Sequence, residues 1–71
     1  MKGDKLKVCY KKLWKLLVDK NLKKTSLIQT ANLSSAIIAK LGKNENVSMA
    51  TLIKICECLD CDIGDIVSLM K

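Results

Sequence analysis

Lys24–Leu41, with the sequence KTSLIQTANLSSAIIAKL, is the most informative part of the chain. Apolar residues recur at helical spacing on both sides of Asn32, a residue type that tolerates the positive φ angle of a sharp turn. Ser34 follows at the position where a hydroxyl would cap a second helix. This spacing predicts two short helices, at 24–31 and 35–41, joined by a turn. It is the spacing of a helix-turn-helix, whose second helix can enter the major groove of DNA.

The composition favours a small helical domain. The 71 residues include 11 leucines and 7 isoleucines but no proline and only 3 glycines, so few residues interrupt helices. A chain of this length buries only about 60% of its unfolded surface, which leaves room for one core. We therefore predict a single domain over residues 1–71, with an N-terminal arm at 1–9 and an all-α bundle at 10–70.

Three further helices account for the remaining apolar pattern. The spacing predicts a first helix over about 10–20 and a fourth at 49–59, which Ser48 would cap. A fifth helix is expected after Asp62, with Asp65 near its positive end. Its apolar face would be formed by Ile63, Ile66, Val67 and Met70.

Two stretches near the N-terminus are open to more than one interpretation. Leu6, Val8 and Tyr10 alternate with other residues, a pattern compatible with a short extended segment. In the first helix, Trp14 and Val18 widen the apolar arc beyond what a helix of this size needs. They would either cover the C-terminal helix or form an exposed patch for a partner.

The charge narrows the class of partner. All 13 basic residues are lysines and the net charge is +6, which favours nucleic acid, an anionic membrane or an acidic protein, although solubility alone would explain it equally well. Lysine neutralises phosphate but lacks the planar fork with which arginine reads guanine.

No segment reaches the roughly 18 apolar residues that span a membrane. Because residues 1–15 are also too charged for a signal peptide, a cytoplasmic location is expected.

The cysteines do not form a recognisable reactive site. Cys58 and Cys61 make a C-x2-C pair close to Cys56, but the chain has no histidine, so a zinc site would need Cys9 to fold back as the fourth ligand. A redox pair would place its reactive thiol at a helix N-terminus, whereas this pair lies at the end of the fourth helix. We favour small core or half-buried residues, and we expect no metal and no cofactor. No catalytic constellation is visible, so an enzyme is not expected.

The chain resembles the Cro/C1-type (XRE-like) helix-turn-helix transcriptional regulators, in particular short single-domain members. Besides the helix-turn-helix, the resemblance is carried by KLWKLL at Lys12–Leu17 and by LIKICECLDCDIGDI at Leu52–Ile66. It extends over about Tyr10 to Met70. The resemblance implies a lambda-repressor-like bundle of five helices with the motif in helices 2 and 3.

The resemblance also implies a set of DNA-contacting residues on the motif. The first residues of helix 3 match groove-reading positions, helix 2 opens on a phosphate or base contact, and the loop after helix 3 matches backbone contacts. Two residues depart from the family pattern: Ile28 stands where alanine usually packs against helix 3, and Asn32 stands where glycine is more common. The implied nucleic-acid-binding residues are Lys24, Ser34, Ser35, Ala36, Ile37, Lys40, Lys43 and Asn44.

The function implied by this resemblance is sequence-specific DNA binding by a transcriptional regulator, a repressor in the usual case. It would bind double-stranded DNA as a homodimer. The two copies of helix 3, at residues 35–41, would lie about 34 Å apart. The alternative is a protein-interaction or antitoxin-like adaptor that keeps the scaffold but reads little sequence, with Trp14 and Val18 as its contact patch. No membrane partner and no small-molecule ligand are expected.

Overall fold

The computed structural model describes residues 6–70, and within that range the chain forms four α-helices, one 3-10 turn and a two-stranded antiparallel sheet. Residues 1–5 of the predicted N-terminal arm lie outside the described residues, as does Lys71. The elements are β1 (Lys7–Cys9), α1 (Lys11–Asp19), α2 (Ser26–Thr30), α3 (Ser35–Gly42), α4 (Met49–Leu59), the 3-10 turn (Ile63–Asp65) and β2 (Ser68–Met70).

Serine hydroxyls set the starts of α3 and α4. The Oγ atom of Ser34 accepts a hydrogen bond of 3.2 Å from the backbone N–H of Ile37, and Ser48 accepts one of 3.2 Å from Thr51. Each bond satisfies an N–H group that has no partner within its helix, which stabilises the helix by about 1 kcal/mol. Both predicted caps are confirmed.

In the described range, each α-helix is followed by an asparagine or aspartate with a positive φ angle. After α3, the Asn44 N–H donates to the Leu41 carbonyl at 3.2 Å and the Glu45 N–H donates to the Lys40 carbonyl at 2.9 Å. These two bonds close the helix end in the Schellman pattern, which requires a positive φ at Asn44. The positive φ predicted for Asn32 is confirmed. The residues after the four helices that adopt this conformation are Asn21 (φ 60°), Asn32 (55°), Asn44 (56°) and Asp60 (55°).

The core is aliphatic and surrounds one tyrosine. Leu27 of α2 and Leu41 of α3 are both fully buried, so the two helices of the motif cross on packed side chains. Ile28 is half-buried and outside the core cluster, so its larger side chain does not enter this crossing. The largest fully buried side chains are Tyr10, Leu13, Leu17, Leu27, Leu41, Ile55 and Ile66.

The predicted fifth helix is wrong, and with it the five-helix count; the described range is mostly helical, with four α-helices and a small two-stranded sheet. Its start signal is real, because Asp62 accepts from the Ile63 N–H at 2.8 Å and Asp65 accepts from the Asp62 N–H at 3.0 Å. The helical conformation nevertheless lasts for only one 3-10 turn. Met70, predicted to lie on the apolar face of that helix, is instead in a strand and is 49% exposed.

The chain after the 3-10 turn is extended because it pairs with the other end of the molecule. Residues of β2 lie opposite those of β1, with Val8 facing Leu69 and Cys9 facing Ser68. The alternating segment at residues 6–10 thus contains a strand, which uses residues predicted to form the N-terminal arm. Backbone pairing between the two ends replaces the predicted last helix.

Candidate nucleic-acid interface

The helix-turn-helix is held by buried side chains on both sides of its turn. Ala31 and Leu33 flank the exposed Asn32 and are themselves buried. The Leu33 N–H also donates to the Leu27 carbonyl at 3.4 Å, which draws the turn back onto α2. This arrangement fixes the angle at which α3 leaves α2, as a rigid reading helix requires.

The second helix begins later than predicted. The prediction placed it at 24–31, whereas α2 starts at Ser26. The preceding turn is tightened by bonds from the Ser26 N–H to the Lys23 carbonyl at 2.9 Å and from the Leu27 N–H to the Lys24 carbonyl at 3.1 Å. Lys24 therefore lies in the turn before α2 rather than in its first turn.

One side of α3 is exposed and carries small side chains. Ser35, Ala36, Ala39 and Lys40 are exposed, whereas Leu41 is fully buried on the opposite side. At 100° per residue the four exposed positions share one side of the helix, which we call the outer face of α3. Ala39 was missed by the sequence prediction, although its spacing of three from Ala36 and four from Ser35 would have placed it there.

Ile37 lies at the border of this outer face. Its side chain is half-buried and packs against the core cluster, and its N–H is bonded to the Ser34 hydroxyl. Ser34 itself is exposed. Of the residues predicted to face the groove, Ile37 is thus the one that the structure turns furthest inward.

Tyr10 fastens the loop after α3 to the start of α1. Its hydroxyl donates to the Glu45 carbonyl at 2.7 Å, and its backbone N–H donates to Oδ1 of Asn44 at 3.1 Å. Burial raises the pKa of the Tyr10 hydroxyl, and a hydrogen bond with the Val47 backbone opposes that rise. The side-chain oxygen of Asn44 is therefore already used within the protein, while the neighbouring Lys43 remains exposed.

Lys24 is positioned by an aromatic ring. Its Nζ atom lies 4.3 Å from the ring centroid of the half-buried Trp14, close enough for a cation–π interaction. The Lys24 side chain is otherwise exposed. Lys24, a predicted contact residue, therefore lies beside α1, in the turn that precedes α2.

The charges of the chain are segregated along its sequence. Residues 20–44, which contain the whole motif, hold five lysines and no aspartate or glutamate. Four of the seven acidic residues fall instead within residues 57–65. Such a separation gives the motif a positive field that attracts a polyanion, and the field weakens as salt is added.

The four cysteines are free thiols, and their buried or half-buried surroundings do not resemble those of a reactive thiol. Cys9 is buried, and the other three are half-buried against the core cluster. Burial, with the neighbouring Cys56 as a second cause, raises the pKa of Cys61 to about 11, so this thiol is protonated at neutral pH. Across residues 6–70, the His, Cys, Asp and Glu side chains form no group of three that could hold a metal ion.

No helix in the part of the chain that the structure describes has the length and apolar character needed to cross a membrane.

Comparisons with known proteins agree with this architecture. The family model of the Cro/C1-type HTH DNA-binding domain matches residues 12–71. The crystal structure of the transcriptional regulator VanUg (form II) is similar to the whole fold, with a TM-score of 0.91 and 47% sequence identity over 99% of this chain and 93% of that chain. A comparison with curated protein sequences gives no match. The chain therefore belongs to the Cro/C1-type family of helix-turn-helix DNA-binding domains.

Proposed function

We propose that the protein is a sequence-specific transcriptional regulator that places the outer face of α3 in the major groove of DNA. The observation that carries the proposal is the segregation of charge on a helix-turn-helix scaffold, with five lysines and no acidic residue over 20–44. Family membership supports the DNA-binding class, and the likeness to a transcriptional regulator supports the regulatory role.

Small side chains on the outer face determine how bases would be read. Ser35 offers a hydroxyl, while Ala36 and Ala39 offer methyl groups that can contact the methyl group of thymine. Short side chains also let the helix backbone approach the base edges closely. Of the four outer-face residues, Lys40 alone has a long side chain, so DNA shape and apolar contact would contribute much of the selectivity.

Phosphate contacts would come from the two ends of the motif. Lys24 and Lys43 are exposed cations that fix the position of the protein without reading sequence. The Ser34 oxygen accepts from Ile37, which leaves its hydroxyl proton free to donate to a phosphate oxygen. Because the carbonyl oxygen of Asn44 is bonded to Tyr10, only its amide N–H groups would serve a phosphate.

The regulator would act as a homodimer in the cytoplasm. Two copies related by a two-fold axis would place their α3 helices about 34 Å apart, one turn of DNA. A dimer bound over a promoter would block polymerase, which makes repression the proposed outcome.

The test is selection of bound sequences from random duplex DNA, with the oligomeric state measured at the same concentrations. We expect an enriched, two-fold symmetric site whose affinity falls steeply with salt. Lys40→Ala should weaken binding more than Lys54→Ala, since Lys54 is exposed on α4 and lies outside the motif. Equal losses would indicate non-specific charge, and no duplex binding at low salt would refute the proposal.

A further inference from the structure

An apolar groove lies between the second half of α1 and the turn that precedes α2. Its floor is formed by Trp14, Leu17, Val18 and Leu22, and Lys23 and Lys24 stand at its rim. We call it the Trp14 groove. Its volume of about 310 Å³ is at the lower end of the range for ligand sites, and it has room for a leucine- or phenylalanine-sized side chain.

The end of α1 gives the groove its shape. The Leu22 N–H donates to the Leu17 carbonyl at 2.8 Å, and Asn21 adopts a φ of 60°, so the chain folds back over the last turn of the helix. This closure brings an apolar residue after the helix against one within it, as is usual for such helix ends. The groove is therefore part of the packed structure and does not depend on a loose loop.

The floor of the groove is only partly covered. Val18 is 74% exposed, the highest value among the exposed large hydrophobic side chains in the described range. A single exposed valine is common on protein surfaces, but this one lies in a concave surface beside a half-buried tryptophan. Covering Val18 and Trp14 would remove apolar area from water and favour binding.

We propose that the Trp14 groove binds an acidic amphipathic segment of a partner protein. An apolar side chain of that segment would cover Trp14 and Val18, and flanking carboxylates would pair with Lys23 and Lys24. Charge complementarity supports this choice, since the rim is cationic and the whole chain carries a charge of +6.

Two other occupants fit the groove less well. A symmetric dimer built on this surface would bring the cationic rims of two copies close to the same two-fold axis, where their like charges would repel. DNA phosphates would suit the lysines but would leave the apolar floor of Val18 against a charged, hydrated backbone. A segment that carries both apolar and acidic side chains satisfies the floor and the rim together.

Trp14 is the only tryptophan of the chain, so its fluorescence reports directly on the groove. The probes are two synthetic helical peptides with leucines at i, i+3, i+4 and i+7, one with glutamates at its other positions and one with lysines. With the 71-residue chain, we expect the glutamate peptide to shift Trp14 emission to the blue and to saturate. The lysine peptide should bind at least about tenfold more weakly. No saturable shift with the glutamate peptide, or equal binding of both peptides, would overturn the proposal.

Matched variants distinguish peptide binding at the groove from a general effect of the protein's charge. Val18→Glu should weaken binding of the glutamate peptide by about tenfold or more, and Lys23→Glu should also weaken it. Ile53→Glu, at a 48% exposed position on α4, makes the same change of charge as Val18→Glu and should leave the affinity nearly unchanged. Lys23→Glu provides the test if Val18→Glu fails to fold.

Two further outcomes would assign the groove to a different occupant and would overturn the proposal. If the protein self-associates and Val18→Glu abolishes this self-association, a second copy of the chain is the occupant of the groove. If duplex DNA displaces the peptide and binds the Val18→Glu variant more weakly than the unsubstituted protein, DNA is the occupant of the groove. Sedimentation and competition with duplex distinguish these results from the expected one.

Discussion

The outer face of α3 and the Trp14 groove both carry lysine, but in different surroundings. On α3, Lys40 stands beside the small residues Ser35 and Ala36, whereas Lys23 at the groove borders the exposed apolar side chain of Val18. Phosphates need only cations and small donors, while an apolar floor has to be covered by another apolar group. The neighbours of a lysine, more than its charge, therefore distinguish a surface for DNA from a surface for protein.

Loss of Tyr10, which supports both α1 and the loop after α3, should destabilise the protein most. Tyr10 is 1% exposed and bonds to Glu45 and Asn44. Tyr10→Ala should lower the free energy of unfolding by about 3–5 kcal/mol, enough to disturb both surfaces in a small domain. Tyr10→Phe keeps the ring and should lose only about 1 kcal/mol. Urea unfolding measures both, and similar losses in the two variants would contradict this account of the core.

A pair of matched charge changes should separate the two surfaces. Ala36→Glu puts a carboxylate on the outer face of α3 and should lower the affinity for a selected duplex by at least about tenfold. Val18→Glu makes the same change of charge in the Trp14 groove and should leave that affinity within about twofold. Titration of labelled duplex measures both. Equal losses would show that overall charge, and not position, governs DNA binding.

The serine caps test a smaller contribution. Ser34→Ala and Ser48→Ala should each lower the free energy of unfolding by about 1 kcal/mol, because each removes one bond to a helix N–H group. Ser34→Ala should additionally weaken binding to a selected duplex, since its hydroxyl would also donate to phosphate. Unfolding and duplex titration of both variants provide the measurement. A Ser34→Ala variant with lower stability but unchanged affinity would remove Ser34 from the interface.

The smallest effect concerns alkaline pH. Because burial raises the pKa of Tyr10 in the folded protein, the folded state holds this proton more tightly than the unfolded state does. The stability that this adds is fully present below about pH 10, the pKa of an unfolded tyrosine, and is lost as the pH rises through the higher folded value. Tyr10 is the only tyrosine, so ultraviolet absorbance follows its ionisation directly. Tyr10→Phe should lack this component of the pH dependence, and a normal pKa for Tyr10 would contradict its burial.

Local signals in the sequence were sufficient to predict most of the helix boundaries. The caps at Ser34 and Ser48 and the turn at Asn32 depend on groups within a few residues, so the pattern contains all the information needed. The same holds for the box formed by Asp62 and Asp65. The conformation of the chain after that box could not be predicted, because the strand pairing of residues 68–70 depends on residues at the other end of the chain.

In the candidate site, too, local features could be predicted from the sequence and long-range contacts could not. Helical periodicity was enough to place Ser35, Ala36 and Lys40 on one face. The bond between Asn44 and Tyr10 joins residues 34 apart in sequence, so no local pattern indicates that Asn44 is partly occupied. The contact of Lys24 with a ring on α1 is likewise a tertiary feature.

We expect DNA to contact the outer face of α3, with Lys24 at the rim of the Trp14 groove, and to leave the apolar floor of that groove uncovered. Chemical-shift mapping of the isotope-labelled 71-residue chain with its selected duplex measures this contact surface. The largest changes should fall on the backbone amides of residues 34–44 and on Lys24, with those of Val18 and of residues 68–70 little affected. Changes concentrated on α1 or on the two-stranded sheet, with residues 34–44 unmoved, would contradict the account.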